Sequence, residues 1–158
     1  MQRTKTLWML AAVLTLLIPA GCLPAGSPFD MFRAGYNEDE ETPYDQAYEA
    51  LDWLENNDNP AALAGNRFID TQEAIDFVQA LYDAGAQQVV VTSIFDEQWR
   101  INADGGPYAD TLVVELPADS AQREDILEIY RRECEEYECN FGDVESGISE
   151  GWAALWWD

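Results

Sequence analysis

The sequence predicts an α+β domain, organised as a ferredoxin-like β-α-β-β-α-β sandwich that an extra N-terminal helix precedes. Three observations support this fold class. The chain has 158 residues, which is enough for one domain but not for two. Hydrophobic residues make up 47% of it, so a packed core is expected. Along residues 43–158, apolar positions alternate between helical spacing and strand spacing.

Three segments place apolar residues at helical spacing. Each begins with residues typical of helix N-termini, a Thr-Pro pair for the first and an aspartate for each of the other two. The first two run into turn-forming residues that end them. The predicted helices begin near Pro43, Asp70 and Asp119, and they end near Asn56, Gly85 and Tyr137.

Four segments are predicted to form the sheet. A short strand at 66–69 is followed by the β-branched run 88–95. Residues 110–116 alternate between apolar and polar side chains, and the apolar segment 151–157 supplies the last strand. A Gly- and Pro-containing turn at 104–107 joins the two middle strands. Together with two of the helices, this order of elements gives the ferredoxin-like arrangement.

The second face of this sheet needs a cover. If Val89 and Val91 point towards the helices, Val90 and Ile94 point away from them. Left open, that face would be an apolar patch of the kind that binds partners. We expect the first helix to pack there. The alternatives are self-association through the sheet face and the binding of a partner protein.

The charge of the chain excludes some partners. It carries 31 acidic and 8 basic residues, a net charge of −23. Because Arg3 and Lys5 precede Cys22 and no acidic residue does, cleavage before Cys22 would leave 6 basic and 31 acidic residues, or −25. A polyanion repels nucleic acid and anionic lipid headgroups alike. The acidity fits a solvated acidic surface, adaptation to high salt, or attraction of divalent cations.

Residues 1–22 have the three parts of an export signal. Arg3 and Lys5 supply the basic start, and residues 7–18 form an uncharged apolar run. Small residues then lead to Cys22. The apolar run is shorter than the ~20 residues that a membrane-spanning helix needs, so it is expected to be a signal rather than a permanent span.

The end of this signal, Ile-Pro-Ala-Gly-Cys, resembles the lipobox of bacterial prolipoproteins. Ala20 and Gly21 match its small residues and Cys22 matches the lipid acceptor, whereas Pro19 stands where that family usually has leucine. The resemblance covers the signal alone. It implies a diacylglyceryl group on Cys22, an added acyl chain, and an exported protein anchored to a cell-envelope membrane. The alternative is ordinary signal-peptidase cleavage after Ala20, which leaves Cys22 as a thiol.

The chain is therefore divided into three parts. Residues 1–22 are the predicted lipoprotein signal peptide, and residues 43–158 are the single α+β domain. Residues 23–42 between them are rich in Pro and Gly and end in a block of acidic residues. Such a composition predicts a flexible acidic tether that holds the domain away from the membrane.

Cysteine counting predicts a disulfide. With Cys22 lipidated, Cys134 and Cys139 remain as a pair in an oxidising compartment. Continuous helix would hold their Cα atoms beyond the ~7 Å limit for a disulfide, so a bond requires the helix to end near Tyr137. The alternative is one buried and one exposed thiol. Two cysteines in a chain without histidine do not suit a structural zinc site, and no metal is expected.

The residues that most enzymes rely on are missing. The chain has no histidine, and no lysine follows Lys5. Histidine-based nucleophilic catalysis, histidine metal sites and lysine Schiff bases are therefore excluded. The sequence also lacks a glycine-rich phosphate-binding loop. We expect no catalytic residue and no cofactor. The alternatives are an envelope hydrolase that uses carboxylates alone and a loose Ca²⁺ or Mg²⁺ binder.

Two groups of side chains are candidates for ligand binding. One lies around the hairpin and combines aromatic rings with charged groups; the other is a pair of tryptophans on one face of the last strand. Solvated loop residues and edge packing explain the same groups more simply. The expected function is non-catalytic binding or scaffolding of envelope components through the hairpin or the sheet face. The candidate residues are Asp96, Trp99, Arg100, Tyr108, Trp152 and Trp156.

Overall fold

A four-stranded antiparallel sheet with helices packed on one face forms the described part of the chain. The computed structural model describes residues 46–137, 139, 144–149 and 151–157. The predicted signal peptide, Cys22, the tether and the helix start at Pro43 lie outside these residues. The elements in chain order are β1 (Tyr48–Glu49), α1 (Ala50–Glu55), α2 (Thr71–Asp83), β2 (Gln88–Phe95), α3 (Gln98–Asp104), β3 (Tyr108–Glu115), α4 (Ser120–Tyr137), a 3₁₀ helix (Val144–Gly147) and β4 (Trp152–Trp156).

The α+β class is confirmed, but the ferredoxin-like strand order is not. The strands follow chain order, β1-β2-β3-β4, and each pairs antiparallel with the next. The predicted strand at 66–69 is a turn, because the N–H groups of Arg67 and Phe68 donate back to the Ala64 carbonyl. Upstream of it, Leu63 forms a single parallel bridge with Ala109 of β3. No full strand separates β3 from β4 in the described sheet, and the two pair directly.

The first helix begins later than its sequence predicts and packs elsewhere. Tyr48 and Glu49 pair with the edge of β2, and Glu49 caps α1 by accepting the Asp52 N–H at 2.7 Å. Ala50 and Leu54 are buried in the main core beside α2. The expectation that this helix covers the second sheet face was wrong. The edge of β2 takes up the preceding residues as a strand and directs the helix to the opposite face.

The second sheet face is nevertheless buried. Val90, Val113 and Ala154 form its apolar cluster, and Ala47 and Trp152 pack against them. The three central side chains are therefore already covered within the single chain.

Ile94 was expected on this second face but lies in the main core. The left-handed backbone of Ser93, with φ at 54°, reverses the alternation of side chains along β2.

The two longer helices follow their predicted capping signals. Asp70 accepts the Glu73 N–H at 2.9 Å while the Glu73 carboxylate accepts the Ile69 N–H at 2.8 Å, a near relative of the capping box. α4 ends at Tyr137, as a bond between its cysteines requires. Cys134 and Cys139 form a disulfide with Cα atoms 4.6 Å apart. None of the described helices has the length and apolar character to span a bilayer.

Candidate functional site

Four side chains meet where the β2–β3 hairpin turns, and we call them the hairpin patch: Phe95, Trp99, Arg100 and Tyr108. Between the end of β2 and the predicted turn at 104–107 the chain forms the short helix α3, which carries Trp99 and Arg100. The Arg100 guanidinium lies 4.8 Å from the Trp99 ring centroid and 5.5 Å from those of Phe95 and Tyr108. Phe95 and Tyr108 are register partners whose ring centroids are 6.1 Å apart. The structure thus brings together three of the predicted site residues and adds Phe95.

Neighbouring groups fix the orientation of the patch. Arg100 Nε donates to the Glu97 carboxylate at 3.3 Å. The Tyr108 hydroxyl accepts the Gly65 N–H at 3.2 Å, which ties the patch to the loop before α2. Trp99 remains 61% exposed, although most large apolar side chains of the domain are covered. A cation held against aromatic rings beside an exposed indole is a surface suited to contact with another molecule.

Asp96 was predicted to belong to this cluster. Its carboxylate accepts a hydrogen bond from the Gln46 side-chain amide at 3.2 Å. That contact lies at the point where the described chain enters the sheet, and it connects the end of β2 to the residues before β1. Asp96 is therefore tied to the N-terminal side of the domain.

Trp152 and Trp156 lie on either side of Ala154, each two register positions from it. Trp152 packs against the apolar cluster of the second sheet face, and Trp156 is half-buried opposite Thr111. Trp157 points to the main core, where its ring stands edge-on to those of Phe68 and Phe77. The end of β4 is thus packed into the sheet on both faces, and the hairpin patch is the more exposed of the two candidate surfaces.

A buried ion pair joins two segments that the sequence did not connect. Arg67, in the loop before α2, makes two hydrogen bonds to the Glu133 carboxylate on α4. Its guanidinium also lies 3.9 Å from the Tyr137 ring centroid. Burial lowers the pKa of Arg67, but the hydrogen bond and charge of Glu133 outweigh it and raise that pKa above its usual value. Arg67 and Glu133 are 66 positions apart in the sequence, so no local sequence signal indicates this pair.

A groove between α1 and the α3–β3 turn was also missed. It has a volume of about 320 Å³ and is lined by aromatic, amide and carboxylate side chains. Its two walls come from residues 48–58 and 101–107, which are distant in sequence. The Asn- and Asp-rich run after α1 is typical of a helix end. That pattern explains these residues locally, so the sequence gives no sign that they also line a groove.

The described residues contain no cluster of three His, Cys, Asp or Glu side chains arranged to hold a metal ion. Comparison of the chain with known protein families, with curated proteins and with solved structures gives no match.

Proposed function

We propose that this protein is an exported bacterial lipoprotein, anchored to a cell-envelope membrane through Cys22, whose domain binds another envelope protein without catalysis. The hairpin patch is the proposed contact surface. The observation that carries the proposal is the exposure of Trp99 beside an arginine held against three aromatic rings.

The composition of the patch favours a protein partner. Trp, Tyr and Arg are the residues that most often dominate the binding energy of protein interfaces. Arg100 is held in position by Glu97 and the surrounding rings, so binding would immobilise little additional side-chain freedom. Trp99 contributes a large apolar area that is left in water in the single chain. Covering it in a complex would supply hydrophobic stabilisation of about 25 cal/mol per Å².

The negative charge of the mature chain and the lipobox resemblance support the proposed acyl anchor on Cys22. A mature chain with a net charge of −25 gains nothing from anionic headgroups, so membrane attachment needs inserted acyl chains. Several acyl chains on one cysteine would hold the protein firmly, because a single chain gives only marginal binding.

We also propose that the sheet is a reduced form of the ferredoxin-like arrangement. In that arrangement the first strand lies parallel beside the third strand of the β-α-β-β-α-β series. The parallel bridge between Leu63 and Ala109 supports this, since it sits beside β3 at the position that a first strand would occupy. The segment is too short to separate β4 from β3, so the two pair directly.

Photo-crosslinking in intact cells tests the binding proposal. A photoreactive amino acid in place of Gln98, an exposed neighbour of Trp99, should give a cross-link from the full chain to one envelope protein. The same group at Gln72, an exposed position of α2, should not. The substitution Trp99→Ala should abolish co-purification of that partner from solubilised membranes. Equal cross-linking from both positions, or retention of the partner by Trp99→Ala, would overturn the proposal.

Metabolic labelling tests the anchor separately. Cells that express the full chain should incorporate an alkyne fatty acid into it, and the Cys22→Ser variant should take up none. Label that persists in Cys22→Ser would place the lipid elsewhere and contradict the assignment.

A further inference from the structure

The groove between α1 and the α3–β3 turn has a chemistry distinct from that of the hairpin patch. Tyr48 and Trp53 supply aromatic rings, and Ile101 and Pro107 supply apolar surface on the opposite wall. The carboxylates of Asp52 and Asp58 add negative charge. Among the residues that the structure describes, no arginine or lysine lines the groove.

The walls of this groove are held in place before any ligand arrives. The Asn57 side-chain amide donates to the Pro107 carbonyl at 3.1 Å, and the Asn59 amide donates to the same carbonyl at 3.3 Å. A Cβ on Gly106 would lie 2.2 Å from the Asn57 side-chain oxygen, so only glycine permits this approach. A pre-organised site loses less conformational entropy on binding.

The carboxylates of the groove are available to a ligand. One oxygen of Asp52 accepts the Asn56 side-chain amide at 3.2 Å, which orients the group. Within the described part of the chain, its other oxygen and both oxygens of Asp58 make no hydrogen bond. Both side chains are exposed. A carboxylate beside an aromatic face is the pairing that recognises organic cations, through charge-assisted hydrogen bonds and cation–π attraction.

We propose that this groove binds the guanidinium or ammonium group of an arginine or lysine side chain carried by a basic segment of a partner protein. The charge of the whole chain supports this occupant, because a net charge of −23 attracts cationic segments and repels anionic ones. Two carboxylates with aromatic neighbours suit an organic cation better than a metal ion, which requires more oxygen ligands. This proposal goes beyond the proposed function and uses none of the four residues of the hairpin patch. Cation binding in the groove and partner binding at the patch can therefore be disproved independently.

Nuclear magnetic resonance titration of the full chain in a neutral detergent tests this inference. The probe is the peptide acetyl-Gly-Gly-Arg-Gly-Gly-amide. Its matched control replaces arginine with citrulline, which keeps the shape and removes the charge. The arginine peptide should shift the indole N–H signal of Trp53 saturably, and the citrulline peptide should leave it unchanged. Equal shifts from both peptides would overturn the proposal.

A pair of variants with equal net charge separates the groove from the general field of the protein. Asp52→Asn with Asp58→Asn should weaken binding of the arginine peptide at least fivefold. Asp76→Asn with Asp125→Asn, at exposed positions on α2 and α4, should change it less than twofold. Equal weakening by both pairs would reduce the effect to non-specific attraction and overturn the proposal. So would a shift of Trp53 by a neutral N-acetylglucosamine trimer but not by the arginine peptide.

Discussion

The Tyr82 hydroxyl donates a 2.5 Å hydrogen bond to Oε1 of Glu49 and accepts the Val89 N–H at 3.0 Å. The other oxygen of Glu49 accepts the Asp52 N–H and caps α1. One phenol and one carboxylate thus join β1, α1, α2 and β2. These contacts fix the position of α1, and with it the aromatic and acidic wall of the groove.

This contact predicts a dependence of stability on alkaline pH. Burial, and after it the hydrogen bond to the Glu49 carboxylate, raises the pKa of Tyr82 from its ordinary value of 10.0 to about 12. Below pH 10 the phenol is protonated in both the folded and the unfolded chain, so its stabilising contribution is complete. Between pH 10 and about 12 the unfolded phenol loses its proton first, and stability falls as the pH rises.

Urea unfolding at a series of pH values from 9 upwards checks this. Tyr82→Phe should lower the free energy of unfolding at neutral pH by about 1–3 kcal/mol, because the Val89 N–H loses its acceptor. It should also show a shallower loss of stability above pH 10 than the wild type. Tyr48→Phe, at an exposed tyrosine, is the control and should follow the wild-type curve. Identical slopes in all three proteins would contradict the role of Tyr82.

The Arg67–Glu133 pair predicts a larger cost for removing the arginine than for removing the glutamate. Their side chains are 11% and 7% exposed. Arg67→Met should therefore lower the free energy of unfolding by about 3–5 kcal/mol, since it leaves the buried Glu133 carboxylate without its cation. Glu133→Gln should cost about 1–3 kcal/mol, because Arg67 keeps its ion pair with Glu73 at 3.2 Å. The double variant Arg67→Met with Glu133→Leu should recover most of that loss. Thermal and urea unfolding give these values. Single variants that lose less than about 1 kcal/mol would show that the pair is solvated.

Two tryptophans, one buried and one exposed, should differ strongly in what they contribute to stability. Trp157 is 1% exposed and packs on Phe68 and Phe77, so Trp157→Ala should cost about 3–5 kcal/mol through the cavity that it leaves. Trp99→Ala should cost less than about 1 kcal/mol, because exposed side chains away from such features contribute little. Urea unfolding of the two variants measures both. A severe loss from Trp99→Ala would make that residue part of the core and remove the main support for the hairpin patch.

The disulfide predicts a moderate contribution to stability. Closing a short loop at the end of α4 should stabilise the fold by about 2 kcal/mol in the loop-entropy description. Cys134→Ala with Cys139→Ala should lose about that amount. Added reductant should destabilise the wild type but not this variant. Thiol titration of the unfolded, unreduced domain should detect neither of these two cysteines, and finding both as free thiols would contradict the bond.

The sequence predicted those parts of the fold that depend on residues adjacent in the chain. The caps at Asp70 and Asp119, the β-branched run of β2 and the end of α4 near Tyr137 are visible in the sequence because each depends on adjacent residues. The start of α1 was placed too early because the edge of β2 competes for Tyr48 and Glu49. Helical spacing alone does not reveal that competition, because the strand residues that pair with Tyr48 and Glu49 are Val91 and Val90, far along the chain.

The site was predicted in part for the same reason. Trp99, Arg100 and Tyr108 lie within ten positions of each other, so their clustering is visible along the chain. Phe95 joins them through the register of β2 and β3, which pairs it with Tyr108. The reversal of side-chain alternation at Ser93 depends on backbone geometry. The groove walls at Asp58 and Pro107 depend on long-range contacts. Backbone geometry and long-range contacts of this kind leave no periodic pattern in the sequence.

Intact-mass spectrometry of the natural protein, purified from membranes, tests the central claim most directly. The claim is that an acidic binding domain is held at the membrane by acyl chains on one sulfur atom. The expected mass is that of the chain beginning at Cys22, with a diacylglyceryl group, one further acyl chain and one disulfide. A chain that begins at any other residue, or at Cys22 without added lipid, would contradict the account.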